Sequence, residues 1–73
     1  MTVQIFKTNV QDPLAASHIS LLLQRRFPDH KINFDLEDCD KILRVESHQG
    51  PVHEADIRLL ITRYGYHCES LKD

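Results

Sequence analysis

The sequence is poor in the residues from which most recognisable chemistry is built. Glycine occurs only as Gly50 and Gly65, so no glycine-rich loop is present to cradle a phosphate. Cysteine occurs only as Cys39 and Cys68. They are too far apart for a Cys-x-x-Cys pair and too few for a disulfide framework, so reduced thiols in the cytoplasm are expected. The chain opens on no apolar leader and contains no uninterrupted apolar run long enough to span a bilayer. Positive charge is not in excess either: nine lysines and arginines against eleven acids give a net charge of −2. Such a chain projects no field that gathers nucleic acid or anionic lipid, and neither is expected as a partner. No Ser/His/Asp set with an orienting chain and no pair of carboxylates set in a cleft is evident, so no catalysis and no cofactor are expected.

What is present is ordinary globular composition. Of 73 residues, 41% are hydrophobic and 27% charged, and no repeat, linker or low-complexity tract divides them. One domain over residues 1–73 is expected, with a single two-layer core, since a chain of this size buries roughly 60% of its unfolded surface.

"TVQIFKT" alternates as a half-buried strand does, with Val3 and Ile5 on one face and Gln4, Phe6 and Thr8 on the other. Asp12-Pro13 opens a helix: a carboxylate can accept the orphan N–H groups of the first turn, and the fixed φ of proline suits the first helical position. Ala15, Ile19, Leu22 and Leu23 form its apolar stripe, and Phe27-Pro28 ends it. "HKINFDL" places Ile32, Phe34 and Leu36 inward, and "KILRVE" places Leu43 and Val45 inward, with the polar "EDCD" as the turn between two hairpin strands. A second helix is expected to begin at Gly50-Pro51, to carry Ile57, Leu60, Ile61 and Tyr64, and to stop at Gly65 as a left-handed cap. "YHCESL" closes the chain as a strand.

The fold class is therefore α+β: a ferredoxin-like β-α-β-β-α-β sandwich, with two helices on one face of a four-stranded antiparallel sheet in the order 4-1-3-2. One end of this architecture gathers residues 9–12, the hairpin turn at residues 37–40 and the turn at residues 64–66. The other end gathers His30 and the loop bearing His48 and His53.

"FKTNV", "INFDLEDCDKILRVE" and "GYHCESL" resemble the heavy-metal-associated domains, the small copper-chaperone-like modules. The resemblance runs over nearly the whole chain. It implies a Cys-x-x-Cys pair straddling the first loop and the start of the first helix, where two thiolates hold a soft ion. Without a gap, those two positions fall on Asp12 and Ala15. An aspartate offers a hard oxygen and an alanine offers no ligand, so the scaffold is expected to lack the soft-metal site, and no metal ion is expected there.

Two other clusters could substitute for it. Glu37, Asp38 and Asp40, with Cys39 among them, form an acidic hairpin at the former metal end, suited either to a hard cation or to a basic partner. Two strand spacings, about 10 Å, would separate that hairpin from the first loop. At the far end, three imidazoles from His30, His48 and His53 would suit zinc, nickel or copper(II) if they converged. Cys68 is expected to pack in the core. Small phosphatases of this fold grip phosphate with an arginine in the first loop, which here reads "TNVQDP". RNA-binding modules of the same shape stack bases on two central strands, but beside Phe6, read as facing the open side, the neighbouring strand offers only Ile42 and Arg44. Phe6 and Ile42, together with Leu71, are instead expected to form an exposed apolar patch for a protein partner or a homodimer. The resulting expectation is a non-catalytic interaction module. A metal carrier using the acidic or the histidine end is the alternative.

Overall fold

Six elements follow one another along the chain: β1 (Thr2–Thr8), α1 (Pro13–Arg26), β2 (His30–Asp35), β3 (Ile42–Ser47), α2 (Glu54–Arg63) and β4 (Cys68–Leu71). This computed structural model describes residues 1–71. The strands form one antiparallel sheet ordered β2-β3-β1-β4, and the two helices pack against one of its faces, the ferredoxin-like arrangement expected from the sequence.

The covered face is built in rows. Phe34, Leu43 and Phe6 stand side by side across β2, β3 and β1, and Ile32 stands opposite Val45 in the next row. Ala15, Ala16, Ile19 and Leu23 of α1 and Ile57 and Ile61 of α2 close over them. Phe6, Ile19, Leu23, Leu43, Val45, Ile57 and Ile61 are wholly removed from solvent. Burial of each such side chain contributes about 1.5–3 kcal/mol before chain entropy is set against it.

The helix ends follow the local chemistry. The Asp12 carboxylate accepts the Leu14 N–H at 3.0 Å, with Pro13 in the first turn of α1. At the other end Gln24 Nε2 donates to the carbonyls of Phe27, Pro28 and His30, which steers the chain directly into β2. Gly65 ends α2 with φ +101°. The Gly65 N–H bonds to the Thr62 carbonyl and that of Tyr66 to the Ile61 carbonyl, two bonds that satisfy the last turn and need the left-handed residue between them.

Two boundaries differ from expectation. The second helix begins at Glu54, with His53 as its cap, and not at Gly50-Pro51. Val52 explains the delay, because it is buried in the core and an extended segment is needed to deliver it there before the helix can start. Glu54 and Asp56 then supply the negative charge that suits the first turn. The last strand begins at Cys68, after Tyr66 has packed half-buried against the core.

Candidate functional site

Asp12, at the end of the loop of residues 9–12, caps α1, and Ala15 lies in its first turn; the resemblance assigns the two thiolates to these two positions. Asp12 is exposed and its carboxylate is committed to the helix cap. Ala15, one turn further on, is 8% exposed and belongs to the core. Neither atom set can ligate a soft ion: one is a hard oxygen already accepting an N–H, the other a methyl. The loop itself is tied down by Asn9, whose side-chain oxygen accepts the His67 N–H at 2.7 Å, and by Thr8, whose hydroxyl accepts the N–H of buried Val10 at 3.2 Å.

The hairpin lies nearer to this loop than strand spacing alone predicts. Its return arm leads into β3, the direct neighbour of β1, so the Thr8 N–H donates to the Asp40 carbonyl and the Thr8 hydroxyl to the Lys41 carbonyl at 2.6 Å. Ligand atoms of Asp38, Cys39 and Asp40 lie within 4.8 Å of one another, the only such grouping of three among the described residues. The turn accounts for that closeness, because the Asp38 carboxylate accepts the Asp40 N–H at 2.8 Å. Two ammonium groups already serve this end: Lys7 Nζ sits 3.7 Å from Asp40, and Lys41 Nζ donates to the Leu36 carbonyl. Glu37 stands exposed beside them, its N–H bonded to the Asp35 carboxylate.

His30, His48 and His53 do not assemble a site, since their ring nitrogens form no such grouping. Two of the rings serve packing. His30 stacks on Phe27 at a centroid distance of 5.1 Å and His53 stacks on the same ring at 6.1 Å. Both His30 ring nitrogens are shielded and without a partner among the described residues. His48 is exposed in the β3–α2 loop. The sequence spacing placed these histidines at one end but said nothing about Phe27, which recruits them as aromatic surfaces.

The open sheet face corrects a further expectation. Phe6 does not lie on it; it is fully buried between sheet and helices. With Phe6 opposite Leu43 and Thr8 bonded to Lys41, the inward face of β1 is Gln4, Phe6 and Thr8, while Val3, Ile5 and Lys7 point to the open side. There Ile5 stands between Arg44 and Leu71, Lys7 between Ile42 and Glu69, and Val3 beside Glu46. On β2 the outward residues are Lys31, Asn33 and Asp35. An apolar patch on this face is formed by Val3, Ile5, Ile42 and Leu71. Its centre is Ile5, flanked by Val3 and Leu71, which are 39% and 37% exposed.

No model of a protein family matches the sequence, and no curated protein does. Among solved structures, the chain is similar to the copper chaperone Atx1 from Synechocystis PCC6803, described as a trimeric form of a histidine-to-tyrosine variant. The TM-score is 0.67 and the identity 22%, covering 93% of this chain and 100% of that one. The two proteins share a fold. An identity of 22% extends no further than that, so the ligands of the one are not carried to the other.

Cys68, inward-facing on β4, is 8% exposed. Burial pushes its thiol up to about 12, with Arg58 opposing and Glu69 assisting the rise. A thiol so protonated is a poor nucleophile and a poor ligand. Cys39, by contrast, is exposed. Iodoacetamide at pH 8 is expected to label Cys39 alone in the folded protein and both cysteines in urea, as counted by intact mass. The same shift has a sign for stability: the unfolded chain releases this proton near 9.0 and the folded one near about 12. Stability from Cys68 is thus whole below pH 9 and erodes as pH rises toward 12.

Three features of the surface escape the sequence pattern. Ile5 is one. The others are Leu59 and Tyr64, which flank a groove between α1 and α2; both are exposed, and Tyr64, expected on the apolar stripe of α2, instead caps its end. Only the mutual placement of the helices reveals it.

Proposed function

We propose that residues 1–73 form a single heavy-metal-associated-like domain without the family's soft-metal grip, acting as a non-catalytic protein-interaction module in the cytoplasm. The observation that carries this reading is the pair Asp12 and Ala15, a cap oxygen and a buried methyl at the two positions the resemblance assigns to thiolates. The shared fold with a copper chaperone supports the scaffold half of the proposal. No helix among the described residues is long and apolar enough to cross a membrane.

The contact surface is the open sheet face around Ile5, and the partner is a second copy of the chain. The charges there are balanced, with Lys7, Lys31 and Arg44 against Asp35, Glu46 and Glu69. A two-fold axis can set such a surface against itself without leaving like charges opposed.

Titration with copper(I), zinc and nickel, followed by sedimentation, tests both halves. The expected outcome is no stoichiometric uptake tighter than about 1 μM, the level that corresponds to roughly 8 kcal/mol. Uptake beyond it defeats the reading, and His53→Ala and Asp38→Asn variants then locate the ion. Sedimentation at about 100 μM should show a dimer that Ile5→Asp converts to monomer. A dimer unmoved by that substitution counts against this face.

A further inference from the structure

A groove of about 380 Å³ runs between α1 and α2, on the side of the molecule away from the sheet, lined by Leu22 and Arg26 of α1 and by Asp56, Leu59, Leu60 and Arg63 of α2, with Tyr64 beyond. Its floor is apolar: Leu22 and Leu60 are half-buried, and Leu59 and Tyr64 remain 49% and 37% exposed. Its wall at Tyr64 is fixed, because the phenol hydrogen-bonds with His18 Nδ1 at 2.6 Å and the ring stacks on Tyr66. Among the described residues, neither Arg26 nor Arg63 has a carboxylate within 4.0 Å.

We infer that this groove docks an acidic amphipathic helix of another protein. Two observations select that occupant. Two guanidinium groups against the single carboxylate of Asp56 make the groove locally positive on a chain whose net charge is −2. That sign attracts an acidic segment, whereas the balanced sheet face suits a second copy. The walls are helices whose backbone groups are already paired, so the groove has no free edge with which to bind an extended strand. A helical ligand arrives with its own backbone satisfied and can lay an apolar stripe on Leu22, Leu59 and Leu60. Arg63, and Arg26 whose guanidinium lies 5.8 Å over the Phe27 ring, then supply charge for carboxylates flanking that stripe.

The probe is a fluorescein-labelled peptide of about 14 residues, composed of Glu, Ala and Leu, with leucine at the i, i+3, i+4 and i+7 spacing of groove-bound helices. A lysine-for-glutamate version is the control. The expected result is saturable binding of the acidic peptide, weakened by added salt, with amide shifts confined to α1 and α2, and no binding of the control. Arg26→Glu/Arg63→Glu should weaken it by at least about tenfold, as should Leu59→Ser, while both variants keep the native circular dichroism. Several results overturn the inference: no saturable binding up to about 1 mM, binding indifferent to the variants, or preference for vesicles of phosphatidylserine over the peptide. So does loss of self-association in the arginine variant with Ile5→Asp without effect, which would assign the groove to a second copy. Because the groove and the sheet face are separate surfaces, failure here leaves the metal and dimer tests above intact.

Discussion

Phe6→Ser is expected to unfold the protein and not merely to weaken an interface. Phe6 is fully buried and stands in the row Phe34–Leu43–Phe6 that forms the middle of the covered sheet face. Truncating a buried phenylalanine costs about 3–5 kcal/mol, and a serine hydroxyl left there without a partner adds about 1–3 kcal/mol. Against this stands the whole stability of a 73-residue chain, which at 0.05–0.15 kcal/mol per residue amounts to about 4–11 kcal/mol. The loss is comparable to the total. Far-ultraviolet circular dichroism and urea titration measure it: the serine variant should lack a cooperative transition at 25 °C. Ile5→Ser, one position away on the open face, should keep a midpoint close to that of the parent. The reverse pattern, a folded Phe6→Ser and an unfolded Ile5→Ser, would mean that β1 is turned over.

That contrast also shows where the sequence is legible and where it is not. The strands β2 and β3 alternate cleanly, with Ile32, Phe34, Leu43 and Val45 all inward, so their orientation follows from periodicity alone. The start of α1 is equally plain, since Asp12-Pro13 does what its chemistry suggests. By contrast β1 carries apolar side chains on both faces. Two of them, Val3 and Ile5, outnumber Phe6, and a simple count turns the strand the wrong way. What decides is tertiary: Phe6 pairs with Leu43, and the Thr8 hydroxyl finds the Lys41 carbonyl, so that a polar group can be buried at no loss. The start of α2 fails for a related reason. Gly50-Pro51 has the local signature of a helix opening, but the need to bury Val52 outweighs it. As for the candidate site, Asp12 caps α1 and Ala15 lies in its first turn, but their equivalence to thiolate positions rests on the resemblance alone. The histidine cluster dissolves because ring stacking on Phe27 is a contact in space that spacing does not encode.

Installing the missing thiols is expected to create a copper(I) site. Asp12 is the cap of α1 and Ala15 its third helical residue, and those two positions face each other across the first turn, which is why a capping box can bridge them. Two sulfurs placed there by Asp12→Cys/Ala15→Cys can therefore reach one ion. The helix N-terminus favours the thiolate form, whereas the burial of Ala15, 8% exposed, works against it. Metal binding tips this balance, because the ion takes the place of both protons. Removing the Asp12 cap costs about 1 kcal/mol of stability. That is small beside the free energy of a thiolate site, on the order of 10 kcal/mol. Competition with a chromogenic chelator should show one copper(I) per chain, held at least about a thousandfold more tightly than by the parent protein. Affinity should fall with falling pH as protons compete for the sulfurs, a dependence that adventitious surface binding through Cys39 alone would show more weakly. If the folded double variant gains nothing, the first loop lacks the metal-site geometry that the resemblance implies. If the parent already binds as tightly, the missing sulfurs are not what separates this protein from a carrier.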